Sequence, residues 1–291
     1  MFLSLLLTQI ASLVLGVHAA RRIRTRSPDA TPENVHRRCR PLLPGAIGLL
    51  MILAVPASAI VFDRVCQLYP LWFQRYMHVA TWVVLLMMFP FLFALAASLA
   101  VHTNHPKKRI ILVAATIMNV ALVQFQWTRA VPIASRLASR ATGQGILLQS
   151  SGSSCVATSL ANATTLLGSN LSEKEAAELL GTTRTGTHNG QLRYALDRLG
   201  YAYETLNRGY HHLADVPPPA ILFVDHPKLG RESHAVLFVA HRRGRYEIWD
   251  PLTGRELATA QQIDANWHGN GVRVISPTHQ ASQENPVRIA E

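Results

Sequence analysis

Of the three cysteines in the chain, Cys39, Cys66 and Cys155, one stands where a thiol can attack a carbonyl. Cys155 opens a helical stretch expected over 155–167, directly after a loop of small residues, Ser150 to Ser154. The unpaired N–H groups at a helix start carry partial positive charge, which favours the thiolate, the nucleophilic form. A lone cysteine is commonly a buried structural residue, so its company decides. Gln149 lies six residues upstream, across the small-residue loop. Its side-chain amide can meet the Cys155 backbone N–H, and two donors so placed would hold the oxyanion of a tetrahedral intermediate.

The 13 histidines offer many candidate bases, and strand geometry selects one. Two strands, 234–241 and 244–249, flank Arg242-Arg243-Gly244, which reads as a hairpin turn. If the hairpin closes there, His234 falls opposite Asp250 to within a residue or two. An aspartate in that position fixes the imidazole tautomer and holds its positive charge. The alternative for the pair is a purely structural hydrogen bond. His211, His212, His226 and His241 read as loop or surface residues, and no pair of them has metal-ligand spacing. No metal and no organic cofactor is expected.

These four residues need a scaffold to converge. After the 155–167 stretch, Ser172 and Glu175 form a capping box for a helix over 173–180 that Gly181 closes. A third helix, about 189–199, puts Leu192, Ala195, Leu196 and Leu199 on one face and stops at Gly200. Strand patterns follow at 201–206, 220–225, 234–241, 244–249 and 271–275. Helices first and strands later predict an α+β domain with an antiparallel sheet.

The series of motifs resembles the bacteriocin-processing cysteine peptidases, papain-like domains that cut after double-glycine leaders. Five stretches carry the resemblance: Gln149 and Cys155 before a helix; Gly186-Thr187 leading into 191–200 (QLRYALDRLG); Pro219-Ala220-Ile221-Leu222 entering a strand; Ser233-His234-Ala235-Val236; and Trp249-Asp250-Pro251 running on to Gly254. It spans about 145–275. It implies a Cys155–His234–Asp250 triad with Gln149 at the oxyanion hole, and a peptide or protein substrate. Two features depart from the family pattern. Val156 stands where the family has glycine after the nucleophile, and no Walker-A glycine run with Lys-Ser/Thr occurs in the sequence. The resemblance is therefore to a stand-alone, membrane-anchored member without an ATP-binding cassette. That leaves room for a separate transporter partner.

The rest of the sequence is of another kind. Apolar residues make up 49% of the 291 and charged ones 15%. Four runs, about 2–20, 43–62, 79–101 and 110–127, contain no Lys, Arg, Asp or Glu. Each has about the length a helix needs to cross a bilayer, roughly 20 residues. The first has no positive n-region and basic residues follow it at once, so a retained helix is expected rather than a cleaved signal. Asn119 is expected to join helix to helix. The net charge of +11 divides unevenly. Residues 1–140 hold 15 Lys and Arg against three acids, and residues 141–291 hold 13 against 14. The excess thus lies in the apolar half and orients a membrane protein rather than binding nucleic acid. Loops 21–42 and 102–109 are strongly basic and loop 63–78 is weakly so. The positive-inside rule then puts residues 128–291 outside the cytoplasm.

The expected organisation is an all-α transmembrane region of about four helices over 1–127, a linker over 128–144, a papain-like domain over 145–277 and a polar tail over 278–291. The expected function is a multi-pass, ATP-independent cysteine peptidase of the bacterial inner membrane, its peptidase domain extracytoplasmic, acting on secreted or membrane-emerging peptides. The alternatives are a non-catalytic peptide-binding module of the same fold, favoured by Val156, and an acyl or amide transferase.

Overall fold

The computed structural model describes residues 2–35, 67–75, 77–103, 105–206, 210, 212–228 and 230–276. The expected helix at 43–62, the tail at 278–291, and Cys39 and Cys66 lie outside them. The chain forms two compact units: Met1–Val65 with Met77–Val131, and Cys66–Tyr76 with Pro132–Glu291.

The first unit contains helices α1 (Phe2–Arg26), α3 (Met77–His102) and α4 (Lys108–Ala130); α2 belongs to the second unit. These cover the expected runs 2–20, 79–101 and 110–127. Among the described residues one stretch, Lys108–Phe125, is long and apolar enough to cross a membrane. Gly16 lets α1 pass close to α3, since a Cβ there would stand 2.4 Å from the Phe91 carbonyl oxygen. Asn119 joins helices as expected. The Gln9 amide donates to its side-chain and backbone oxygens at 3.2 Å.

The second unit begins with a short helix, α2 (Leu71–Gln74), and resumes at Pro132. Part of the stretch expected to be a linker is core. Ile133, Ala134 and Leu137 are buried against the helices below, and Pro132 bridges to Thr183. Their spacing is too irregular to show a strand or helix period, which is why they read as connector. A two-residue ladder, β1 (Arg140–Ala141) with β2 (Leu147–Leu148), then leads to Gln149.

Helices α5 (Cys155–Leu166), α6 (Glu173–Leu180) and α7 (Asn189–Arg198) follow, each within a residue of expectation. The α6 capping box forms as read: Ser172 Oγ accepts from the Glu175 N–H at 3.2 Å, and Glu175 accepts from the Ser172 N–H at 2.9 Å. Gly181 closes the helix in the left-handed conformation. The sheet is antiparallel with order β3-β8-β4-β5-β6-β7. Its strands are β3 (Ala202–Thr205), β4 (Ala220–His226), β5 (Gly230–Arg242), β6 (Arg245–Asp250), β7 (Gly254–Ala258) and β8 (Trp267–Ile275), with a short helix, α8 (Ala260–Asp264), before the last.

Alternation along β4 and β5 puts Ile221, Phe223, Ala235 and Leu237 against the helices, while Leu222, Val224, Val236 and Phe238 join a second cluster with Tyr246, Ile248 and Trp267. Both faces of the central strands are thus buried, so 220–225 reads as an unbroken apolar run. The β5–β6 hairpin turns at Arg243 and Gly244, both with positive φ, as a two-residue turn with the right strand twist requires. Strand β7 had no sequence signal. It is an exposed, polar edge strand whose pairing onto β6 supplies what its residues lack.

Candidate active site

Helix α5 is the hub. Residues 155–164 are all buried, and two polar side chains on it tie the other site elements to Cys155. Asn162 pairs with the Leu147 backbone in both directions, at 2.9 and 3.0 Å, which fixes the strand running into Gln149. Ser159 Oγ donates to the Ala235 carbonyl at 3.2 Å, which fixes β5 beside His234. Buried polar groups carry such a cost when unpaired that each pairing sets a register as well as a contact.

The loop before Cys155 is held just as tightly. Ser154 is fully buried; its hydroxyl donates to the Ser151 carbonyl at 2.9 Å. The Glu173 carboxylate, buried at the start of α6, accepts the Ser150 N–H and the Ser150 hydroxyl, both at 2.8 Å. On the other side the Gln149 N–H donates to the Pro251 carbonyl at 2.8 Å, next to Asp250. The segment carrying Gln149 is therefore fastened at once to α5, α6 and the end of β6.

His234 Nε2 donates to Asp250 Oδ1 at 2.9 Å, and the same oxygen accepts the Leu252 N–H at 2.7 Å. The β5–β6 register sets Trp249 against Leu237, so the pair reaches diagonally across the hairpin mouth, within the expected two residues. Cys155 lies on the same cavity wall as His234 and is among the groups that raise the His234 pKa. Burial pulls the His234 pKa down, but Asp250 and Cys155 outweigh it and raise it to about 9. Burial likewise pushes Asp250 up, and the bonds from His234 and the Leu252 N–H overcome it and leave its pKa lowered. The imidazolium–carboxylate pair is thus the favoured form at neutral pH.

Cys155 is 9% exposed and, with His234, faces a cavity of about 290 Å³. Its walls include Val156, the 185–189 segment, Phe223, Glu232 and Asn270. Val156, 4% exposed, is the lining residue next to Cys155 in the chain. Gln149 is not among the lining residues. Its Nε2 donates to the Ser151 carbonyl at 2.9 Å, and its Oε1 is buried without a hydrogen-bond partner. An amide nitrogen has two N–H groups, and this bond uses one of them.

Sequence reasoning missed several residues that shape the site. Glu173, Ser159 and Asn162 gave no signal, because a helix-borne polar residue shows nothing of its long-range partner. His226 stacks edge-on to the His234 ring at 5.7 Å between centroids. Asp225 holds His268 at 3.0 Å and accepts the Glu232 N–H at 2.8 Å, which orders the strand end leading to His234. His241, by contrast, stacks on Tyr246 at the far end of the hairpin. Among the described residues no group of three or more His, Cys, Asp or Glu is arranged to hold a metal ion.

No curated protein matches the chain. The fold of its second unit is similar to several solved structures. One is the peptidase domain of Streptococcus ComA, a bifunctional ABC transporter involved in a quorum-sensing pathway, at 21% identity over 44% of this chain and 96% of that one, with a TM-score of 0.39. Another is a double-glycine-motif protease from an AMS/PCAT transporter in complex with the leader peptide, at 16% identity over 50% and 92%, also with a TM-score of 0.39. The peptidase domain of Streptococcus mutans ComA matches at 19% identity over 44% and 95%, with a TM-score of 0.33. The model of the peptidase C39 family matches residues 144–279, a span that takes in Gln149, Cys155, His234 and Asp250. Over that segment the chain is similar to the peptidase C39 family.

Proposed function

We propose that the chain is a membrane-anchored cysteine peptidase whose catalytic residues are Cys155, His234 and Asp250, assisted by Gln149. The Cys155 sulfur attacks the scissile carbonyl. The resulting oxyanion is held by the Cys155 N–H and the other Gln149 side-chain N–H. Protonated His234 gives its proton to the leaving amine, and the acyl-enzyme forms. His234 then takes a proton from water, which attacks the thioester and releases the acid. Asp250 orients the ring throughout. The observation that carries this reading is the placement of the imidazole: His234 is bonded to Asp250 and lines one cavity together with Cys155, at the start of α5.

The apolar runs anchor this domain, by about four helices, to the bacterial inner membrane, with the site on the extracytoplasmic face. Peptides emerging there are the substrates, and the family match makes a peptide with a double-glycine leader the first to test. A transporter encoded separately would be the partner supplying it. The test compares peptides secreted by cells carrying wild-type and Cys155→Ala protein. A precursor that accumulates uncut in the variant supports the proposal. Identical peptide sets, with a peptide ligand bound equally by both proteins, would instead support a binding module. Val156 is the observation that favours this second reading, because a branched side chain lines the cavity beside Cys155 where related peptidases have glycine.

A further inference from the structure

One wall of the cavity is the 185–189 segment, ending at the first residue of α7. The same helix is contacted by a stretch from far up the chain, between the apolar runs 43–62 and 79–101. Among the described residues, contacts of three kinds join them. Gln74 is buried; its Nε2 donates to the Tyr69 carbonyl at 2.7 Å, and its Oε1 accepts from Arg193 Nε at 2.8 Å. Arg193 is itself only 2% exposed, so its guanidinium depends on such partners. The Arg75 guanidinium lies over the Tyr194 ring, 4.7 Å from its centroid. Finally, Gly190 admits the backbone of the stretch. A Cβ there would stand 2.6 Å from the Gln74 carbonyl oxygen and 3.0 Å from its carbon, and backbone cannot yield as a flexible side chain can.

Glycine in the first turn of a helix lowers its stability, and Gly190 follows directly on the lining residue Asn189. A buried arginine, a buried glutamine, a cation–π contact and a glycine with no room for a methyl group together make an interface specific to one stretch. It lies upstream of residues 144–279, so the family match does not cover it. We propose that Tyr69–Arg75 is a positioning clamp for the peptide groove: it holds α7, and so the 185–189 wall, in the conformation that binds substrate. This stretch of the second unit, which lies between two apolar runs in the sequence, then governs substrate affinity, while the triad, built on α5, β5 and β6, does not depend on it. This rests on the peptidase reading only for its kinetic consequence.

The test uses the full-length chain in detergent or nanodiscs. Variants Gln74→Ala, Tyr194→Ala and Gly190→Ala break the three contacts; Tyr194→Phe keeps the ring face; Leu68→Ser, at a residue 83% exposed on the same stretch, is the control. Three quantities are read: amide hydrogen exchange over 185–198, the rate of Cys155 alkylation by iodoacetamide, and kcat and KM on a synthetic double-glycine leader peptide. The clamp variants should exchange faster over 185–198 and raise KM by about tenfold, the loss of one or two such contacts. Their kcat and alkylation rate should stay within about twofold, a change of under 0.5 kcal/mol. Tyr194→Phe and Leu68→Ser should match the wild type. Unchanged exchange in all three variants would overturn the proposal. So would a loss of kcat and alkylation together, or a Tyr194→Phe variant as impaired as Tyr194→Ala. If Gly190→Ala does not fold, Tyr194→Ala decides, since that ring is half-exposed and its loss leaves the core intact. A wild-type protein that never cleaves the peptide would count against the peptidase reading, while the exchange data would still judge the clamp.

Discussion

The two units are built inside out with respect to each other. In the helical unit Gln9 and Ser12 are buried, at 2% and 3% exposure, while Leu7, Ile10, Val14, Ile117 and Val120 face outward. In the sheet unit Leu160, Leu196, Leu237 and Val272 are fully buried, and Lys and Arg side chains lie mostly at the surface. Helices with apolar exteriors and a polar contact between them suit hydrocarbon, where apolar burial gives no drive to associate and small residues and hydrogen bonds do the joining. A layered sheet with an apolar core suits water. The lesson extends to polar groups. Gln9 and Asn119 connect two helices, whereas Ser150, Glu173, Asn162 and Ser159 all fix elements that converge on Cys155.

That contrast is broken or sharpened most strongly at the nucleophile. Cys155→Ala should remove turnover, by roughly 10⁴-fold or more, because triad members act as a unit. Melting temperature should hold within a few degrees, since a sulfur at the edge of a cavity contributes little packing; a collapse of stability would mean the thiol is structural. Gln149→Ala is expected to lower kcat by roughly 10²-fold with KM little changed, as the loss of one oxyanion donor does. A rise in KM alone would show that Gln149 serves substrate binding instead.

The pH profile is the next test. His234 must be protonated to release the amine, so kcat/KM should fall as pH rises through about 9. Asp250→Asn removes the negative charge that raises this pKa, and the alkaline limb should move to lower pH. Linkage carries the same sign into stability. A histidine held above its unfolded value of about 6.5 stabilises the fold fully below that pH and loses the contribution as pH climbs through its folded value. A profile flat between pH 7 and 10 would contradict the ion pair. The smallest effect belongs to the helical unit: a double-mutant cycle on Gln9 and Asn119 should give a coupling of about 0.6 kcal/mol, and not above about 1.7. A coupling of zero would remove the polar link on which the comparison leans.

Much of this was legible from residue types alone. Capping signals placed α6 to the residue, because Ser172, Glu175 and Gly181 act locally. The helix start at Cys155 and the hairpin turn at Arg243-Gly244 are local too, and they brought His234 and Asp250 within reach of each other without any fold in hand. Glu173 was not legible. Its neighbour Glu175 carries the capping pattern, while Glu173 looks like any exposed first-turn acid until Ser150, 23 residues earlier, folds against it. Ile133 and Leu137 were hidden because a core residue outside a regular element has no period. The docking of Gln74 on Arg193 spans 119 residues of sequence, and nothing in either neighbourhood announces the other.

The most direct measurement is the rate of Cys155 alkylation by iodoacetamide across pH 5–10 in folded wild-type and His234→Ala protein, followed by mass-mapped peptides. In the wild type, Cys155 should react fastest of the three cysteines at neutral pH. Removing His234 should slow it severalfold or more, because the imidazolium no longer holds the negative charge on sulfur. Equal rates with and without His234 would contradict the pairing of Cys155 with His234, and with it the catalytic account.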